Sequence, residues 1–227
     1  MAATTLQASS VPYSHALAKV DRALDAHDWT KAKSGCDDLL RMTLDHRLAA
    51  RNVPLFLAAT LTRKALAESA ASDADAASWD YHAAAIFDDA SARAVAAKWP
   101  GITLPPLRKY LPKLTEEAPK GMMRLADGSF VPFGDNPHTK KVSDAVLSRF
   151  SSASRKQVVD LQLVIRTDGR VAEPVLSPSV SHCDAFRELA VLETARYMTF
   201  DPATDATGRP VSTILHFVFN LGTPPSR

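Results

Sequence analysis

The chain reads as an α+β protein. An all-α bundle of helical hairpins over 1–99 is followed by a proline-rich linker at 100–120 and a small β-β-α-β domain over 121–227. Three observations predict this. Residues 13–99 are alanine-rich, with one glycine (Gly35) and one proline (Pro54). Residues 100–120 then carry Pro100, Pro105, Pro106, Pro112 and Pro119. After that the apolar residues recur every second position in two long runs, Val158 to Thr167 and Val211 to Leu221, with one helical run between them.

Alanine favours helix because it loses no side-chain entropy there. Leu17, Val20 and Leu24 recur at helical spacing up to His27-Asp28. A second helix places Trp29, Ala32, Cys36, Leu39 and Leu40 on one side, with Asp28 as its N-cap. A third holds Leu55, Ala58, Ala59, Thr62 and Leu66, and a fourth Trp79, His82, Ala83, Ile86 and Phe87. Antiparallel hairpins joined by short loops fit this layout. The stretch Ala26-His27-Asp28-Trp29-Thr30-Lys31-Ala32 suggests a degenerate tetratricopeptide-type hairpin, although Trp29 and Trp79 are 50 residues apart and not the 34 of that repeat. Both tryptophans read first as bundle core, and second as walls of a peptide groove.

Proline removes a backbone donor and disfavours helix at the residue before it, so 100–120 reads as a semi-stiff linker. In Met122 to Val131 the dipeptide Asp127-Gly128 lies between short apolar runs, which signals a hairpin. Asn136-Pro137 closes that segment, and Thr139 to Arg149 is expected as a short helix burying Val142, Ala145 and Val146.

In the first long strand Val159, Leu161, Leu163 and Ile165 point one way and Asp160, Gln162, Val164 and Arg166 the other, the pattern of a sheet with one buried face. Thr167-Asp168-Gly169-Arg170 is a tight turn, and Val171 to Leu176 returns with Pro174 breaking its ladder. Ser181 or Asp184 caps a helix whose Phe186, Leu189, Ala190 and Tyr197 face the sheet, while Arg187, Glu188 and Glu193 face water. The last strand puts Val211, Thr213, Leu215, Phe217, Phe219 and Leu221 on one side. Ser212, Ile214, His216, Val218 and Asn220 lie on the other. Its eleven residues exceed the usual length of about 5–6. A long final strand offers an edge on which an extended partner segment can pair.

The ordered set of Asp168-Gly169-Arg170-Val171, Val175-Leu176-Ser177, Asp184, Phe200-Asp201-Pro202-Ala203, Gly208-Arg209-Pro210-Val211 and Phe217-Val218-Phe219-Asn220-Leu221 resembles the C-terminal domain of TonB, which links an inner-membrane motor to outer-membrane receptors. The likeness covers roughly residues 155–222. It implies a periplasmic module that does no chemistry, needs no cofactor, and binds a protein or peptide segment at its sheet edge. An outer-membrane receptor or other envelope protein is the implied partner. Carried onto this chain, the binding strand is Ser212, Ile214, His216, Val218 and Asn220. Two features depart from the family. No apolar run reaches the roughly 20 residues of a membrane span, and no Tyr-Pro follows Asn136-Pro137 before the first strand. Rival readings are a TonB-type energy transducer whose anchor lies upstream, and a self-associating protein that pairs two copies of the edge.

Other functional classes find little support. Net charge is +2, with 14 Lys/Arg against 14 Asp/Glu in 1–119 and 13 against 11 in 120–227, so neither half is a basic surface for nucleic acid. The first residues show no basic segment before an apolar core, hence no secretory signal. A cytoplasmic protein and a mature segment with an added Met both fit. Cys36 and Cys183 read as partly buried free thiols, and a bridge would need the two halves to dock with those positions within about 7 Å. His182-Cys183-Asp184 suggests a nucleophile or a metal ligand, but neighbours in sequence point apart and a second ligand pair is missing, so Asp184 reads as a helix cap. His216 reads as a surface histidine and His138 as a loop residue; Asp37-Asp38 and Asp88-Asp89 read as solvated helix surface. No phosphate-binding glycine array is present.

Overall fold

A computed structural model describes residues 3–44, 53–108, 119–141, 157–176 and 184–221. The architecture is α+β, with helices in the first hundred residues and antiparallel strands after them. The chain divides into two units, Met1–Leu107 and Arg108–Arg227.

The first unit contains α1 (Ala3–Asp25), α2 (Trp29–Leu44), α3 (Val53–Ala70) and α4 (Ala74–Ala96). Two of its corners are built alike. After α1, Asp28 N–H donates to the Ala23 carbonyl and His27 N–H to Leu24; after α3, Asp73 N–H donates to Glu68 and Ser72 N–H to Ser69. His27 and Ser72 hold positive φ, 58° and 65°. This is the Schellman arrangement, and it satisfies carbonyls that the helix end leaves over. The next residue then starts the following helix: Asp28 Oδ1 accepts from Lys31 N–H and Asp73 Oδ1 from Ala76 N–H. The hairpins thus share one corner 45 residues apart, a period that the tryptophan spacing hides.

Asp88 is extended (φ −163°, ψ 101°) and breaks α4 in two. Its carboxylate accepts from Ser91 N–H, so it caps the second half. The Asp88-Asp89 pair expected as solvated surface is therefore a helix start, and Asp89 pairs with Arg93. Asp38 does lie at the surface beside Arg41, but Asp37 reaches Lys64, which also lies 3.4 Å from the fully buried Asp80. A second ion pair joins α1 to α3, with Arg63 donating to both carboxylate oxygens of Asp21. The core holds Leu24, Leu39, Leu57, Leu61 and Leu66, each contributing roughly 2 kcal/mol by burial. Helix α3 is buried on every side from Leu57 to Glu68, whereas Leu55, expected on its inner face, is half exposed. Cys36 is free and buried, and burial pushes its thiol pKa up. Cys183 lies outside the described residues.

The stretch expected as linker is not uniform. Residues 100–107 belong to the helical unit, where Ser69 Oγ donates to the Thr103 carbonyl.

The second unit contains β1 (Met122–Arg124), β2 (Phe130–Asp135), β3 (His138–Lys141), β4 (Gln157–Ile165), β5 (Val171–Leu176), α5 (Ala185–Arg196), β6 (Thr199–Asp201), β7 (Ala203–Asp205), β8 (Pro210–Val211) and β9 (Thr213–Leu221). Its main sheet is antiparallel in the order β5-β4-β9. The hairpin signalled by Asp127-Gly128 is β1–β2, and it continues through β7 to β8. Residues 139–141 are not the start of a helix. They pair in β3 with β6, because Phe200 and Thr199 offer them a ladder that local propensity does not register. The rest of that expected helix lies outside the described residues.

Both faces of β4 are buried from Val159 to Ile165, not one as the alternation suggested; Asp160, Gln162 and Val164 are as enclosed as the leucines. Helix α5 lies against β5 and is capped by Asp184, whose carboxylate accepts from Arg187 N–H. Phe186, Leu189 and Ala190 are buried as expected, but Tyr197 is exposed because the helix ends at Arg196 and turns.

Candidate functional site: the two edges of the main sheet

Strand β9 pairs with β4 in continuous register from Ile165↔Thr213 to Gln157↔Leu221. Directly opposed residues share a face, so Ile214 and His216 stand with Val164 and Gln162 on one side of the sheet, and Val218 stands with Asp160. The other face carries Leu215, Phe217 and Phe219, and Phe217 meets Phe200 edge-on at 6.3 Å. The two-face assignment made from the alternation matches this register.

The predicted eleven-residue strand is in fact two. Pro210–Val211 pair with β7, Ser212 breaks the run, and Thr213 onward pairs with β4. Ala126 N–H donates to the Ser212 carbonyl over 2.9 Å, and Leu125 bridges Thr213. The first edge residue is therefore already engaged by the chain's own β1–β2 turn. The Leu125–Thr213 bridge also takes the Ile214 N–H, and beyond Ile214 no strand among the described residues pairs on the outer side of β9.

The Ser212 carbonyl points away from β4. In an antiparallel ladder the backbone groups of alternate residues point the same way. Ile214, His216, Val218 and Asn220 thus turn their N–H and C=O outward, while Thr213, Leu215, Phe217 and Phe219 bond to β4. Ile214 is half-buried, and His216 and Val218 are exposed, Val218 at 45%. His216 Nε2 makes an ion-pair contact with Asp160, whose side chain is nearly enclosed. That contact runs diagonally on the shared face and fixes the imidazole over the sheet, not over a cavity.

The opposite edge, β5, differs. The same parity turns the backbone of Leu163 toward β9, so Leu163↔Pro174 is a pair without ladder bonds. Pro174 therefore does not break the ladder to β4; its missing donor is one that would have faced outward. The irregularity expected on this strand occurs instead where Val164↔Glu173 is followed by Ile165↔Val171, skipping Ala172. The start of this edge is closed by Phe200 N–H, which donates to the Gly169 carbonyl over 2.8 Å, and by an Arg170↔Thr199 bridge.

His138 opens β3 and is exposed, 3.3 Å from Asp135 Oδ1. His182 and Cys183 lie outside the described residues. Among the described residues no group of three His, Cys, Asp or Glu side chains is arranged to hold a metal, and no helix is long and apolar enough to cross a membrane. No family model matches the chain, and neither a curated protein nor a solved structure matches it.

Proposed function

We propose that this protein is a non-enzymatic binding module that takes an extended segment of another polypeptide onto the outer edge of β9. One observation carries the reading: the sheet has two edges, and they are treated oppositely. On β5 a proline withdraws an outward donor, a common protection against unwanted pairing. On β9 the outward positions His216 and Val218 keep theirs, on a nine-residue strand, whereas the Ile214 N–H is taken up by the Leu125–Thr213 bridge. Main-chain bonds would supply affinity, and the exposed His216 and Val218 would supply side-chain preference. The order of β4, β5, α5 and β9, with its resemblance to the TonB C-terminal domain, favours an envelope partner such as an outer-membrane receptor in the periplasm. A transducer anchored elsewhere in the membrane would use the same edge.

The test is a random-peptide display selection on the intact chain. Recovered peptides should bind the parent and lose binding to Val218→Pro, which removes an outward N–H and spares the bonds to β4. Retained binding in that variant, with an unchanged circular dichroism spectrum, rejects edge pairing. The exposed Val218 also suits pairing with a second copy of β9. Sedimentation of the parent across a concentration series distinguishes that occupant, since a dimer would be lost in the same variant.

A further inference from the structure

We propose that the helical unit carries a second binding site, for a guanidinium or alkylammonium group, in the cavity where its helix ends converge. The cavity has a volume of about 660 Å³, within the usual range for small-ligand sites. It lies wholly within the first unit. Its lining includes Asp25, His27, Trp29, Ser69, Lys98 and Trp99.

Three features give this cavity its preference. The first is aromatic. Trp29 and Trp99 both line it, and His27 packs edge-on to Trp29 at 5.0 Å. Indole faces carry negative potential and attract cations more strongly than other aromatic rings. The molecule itself supplies a precedent: the Arg63 guanidinium lies 5.8 Å from the Trp99 ring centroid.

The second is the convergence of helix termini. The last residues of α1 (Leu24, Asp25) and of α3 (Ser69, Ala70) line the cavity, as do Lys98 and Trp99 just past the end of α4. Each C-terminus carries about half a negative charge. Their partial charges add to Asp25 against Lys98 and against the Arg63 guanidinium beside Trp99.

The third is the fixed carboxylate. Trp99 Nε1 donates to Asp25 Oδ1 over 2.9 Å, which orients Asp25 and the indole together. This contact uses one lone-pair direction of one oxygen, and a carboxylate accepts several further bonds. A guanidinium entering here would meet a carboxylate and two indoles, whereas an anion would meet the carboxylate and the indole faces with unfavourable sign. The occupant class is thus an arginine or lysine side chain of a peptide, or a small amine of similar form.

The experiment uses the full chain and N-acetyl-arginine amide as probe, with the uncharged N-acetyl-citrulline amide and the acidic N-acetyl-glutamate amide as comparators. The chain has three tryptophans. The indole N–H signals of Trp29 and Trp99 should shift saturably with the arginine probe in a nitrogen-correlated NMR spectrum. The buried Trp79 signal should stay in place. Citrulline and glutamate probes should bind on the order of tenfold more weakly or not at all. Asp25→Asn keeps an acceptor for Trp99 and should weaken the arginine probe several-fold; Asp25→Lys should remove binding. Raising the salt should weaken it. Equal binding of citrulline, stronger binding of glutamate, or a shift no larger at Trp29 and Trp99 than at Trp79 overturns the proposal. So does indifference to Asp25→Asn, which decides the matter alone if Asp25→Lys fails to fold.

Discussion

The two edges of the β5-β4-β9 sheet begin alike and diverge. Each is closed at one end by the chain's own backbone: β5 by Phe200 on Gly169, β9 by Ala126 on Ser212. After that, β5 carries a proline whose ring nitrogen faces outward, and β9 runs on past Ile214 with no strand among the described residues paired on its outer side. The difference teaches that the two edges of one sheet can keep unequal sets of outward donors. It also shows that the guard is a matter of parity. A proline one position away would have cut into the sheet instead of fencing it.

That contrast can be broken most severely at Gly169. It has φ +80°, and a Cβ there would stand 1.9 Å from the Phe200 carbonyl oxygen. Gly169→Ala should cost about 3 kcal/mol or more in urea denaturation, because strained backbone and a rigid clash act together and the closure of the β5 edge is lost. Next comes the parity of β9. Leu215→Pro removes an inward donor next to a buried ladder and should cost about 2–3 kcal/mol. Val218→Pro removes an outward donor and should cost less than about 1 kcal/mol. Equal losses, measured by the same denaturation, would show the assigned parity to be wrong. Pro174→Thr sharpens the comparison from the other side. It should leave the melting temperature within a few degrees, yet give concentration-dependent association by sedimentation, since β5 would then offer a full set of donors.

The smallest effect concerns the two turns that lead toward β9. Asp127 accepts from the Ser129 hydroxyl and N–H, and Asp205 from the Thr207 hydroxyl and N–H and from Arg209 N–H. These bonds favour the ionised form, the hydroxyl bond most in each case, so both carboxyl pKa values lie below the ordinary one. The turns therefore gain stability that is present above the ordinary carboxyl pKa of about 4 and is lost as pH falls through the lowered folded values. Thr207→Ala and Ser129→Ala should each lower the melting temperature slightly at neutral pH and leave the acid end of the profile nearly unchanged, so that its acid limb flattens.

Much of this was legible in the sequence where the cause is local. Asp28 and Asp184 announced their helices because a short carboxylate before an apolar repeat has few other uses. Asp127-Gly128 announced its hairpin. The alternation assigned Ile214, His216 and Val218 to one face correctly, since side chains on a strand must alternate. What remained hidden depends on partners distant in sequence. Nothing near Thr139 says that Phe200 will pair with it. The direction of the Pro174 nitrogen depends on register with β4, which no property of residues 171–176 determines. The repeated corner escaped notice because its left-handed positions are occupied by His27 and Ser72, where glycine would have advertised them. The cavity in the helical unit was half seen: Trp29 was weighed as a groove wall, but its companion proved to be Trp99, whereas Trp79 is core.

The matched corners at Asp28 and Asp73 give the helical unit two junctions of the same form. Excising the 45 residues from one aspartate to the next would join α1 to α4 through an unaltered junction. Copying that stretch would insert another pair of helices with both seams already correct. The same geometry that ends one helix and begins the next would let this half of the protein be lengthened or shortened without a new connection, provided the core were repacked.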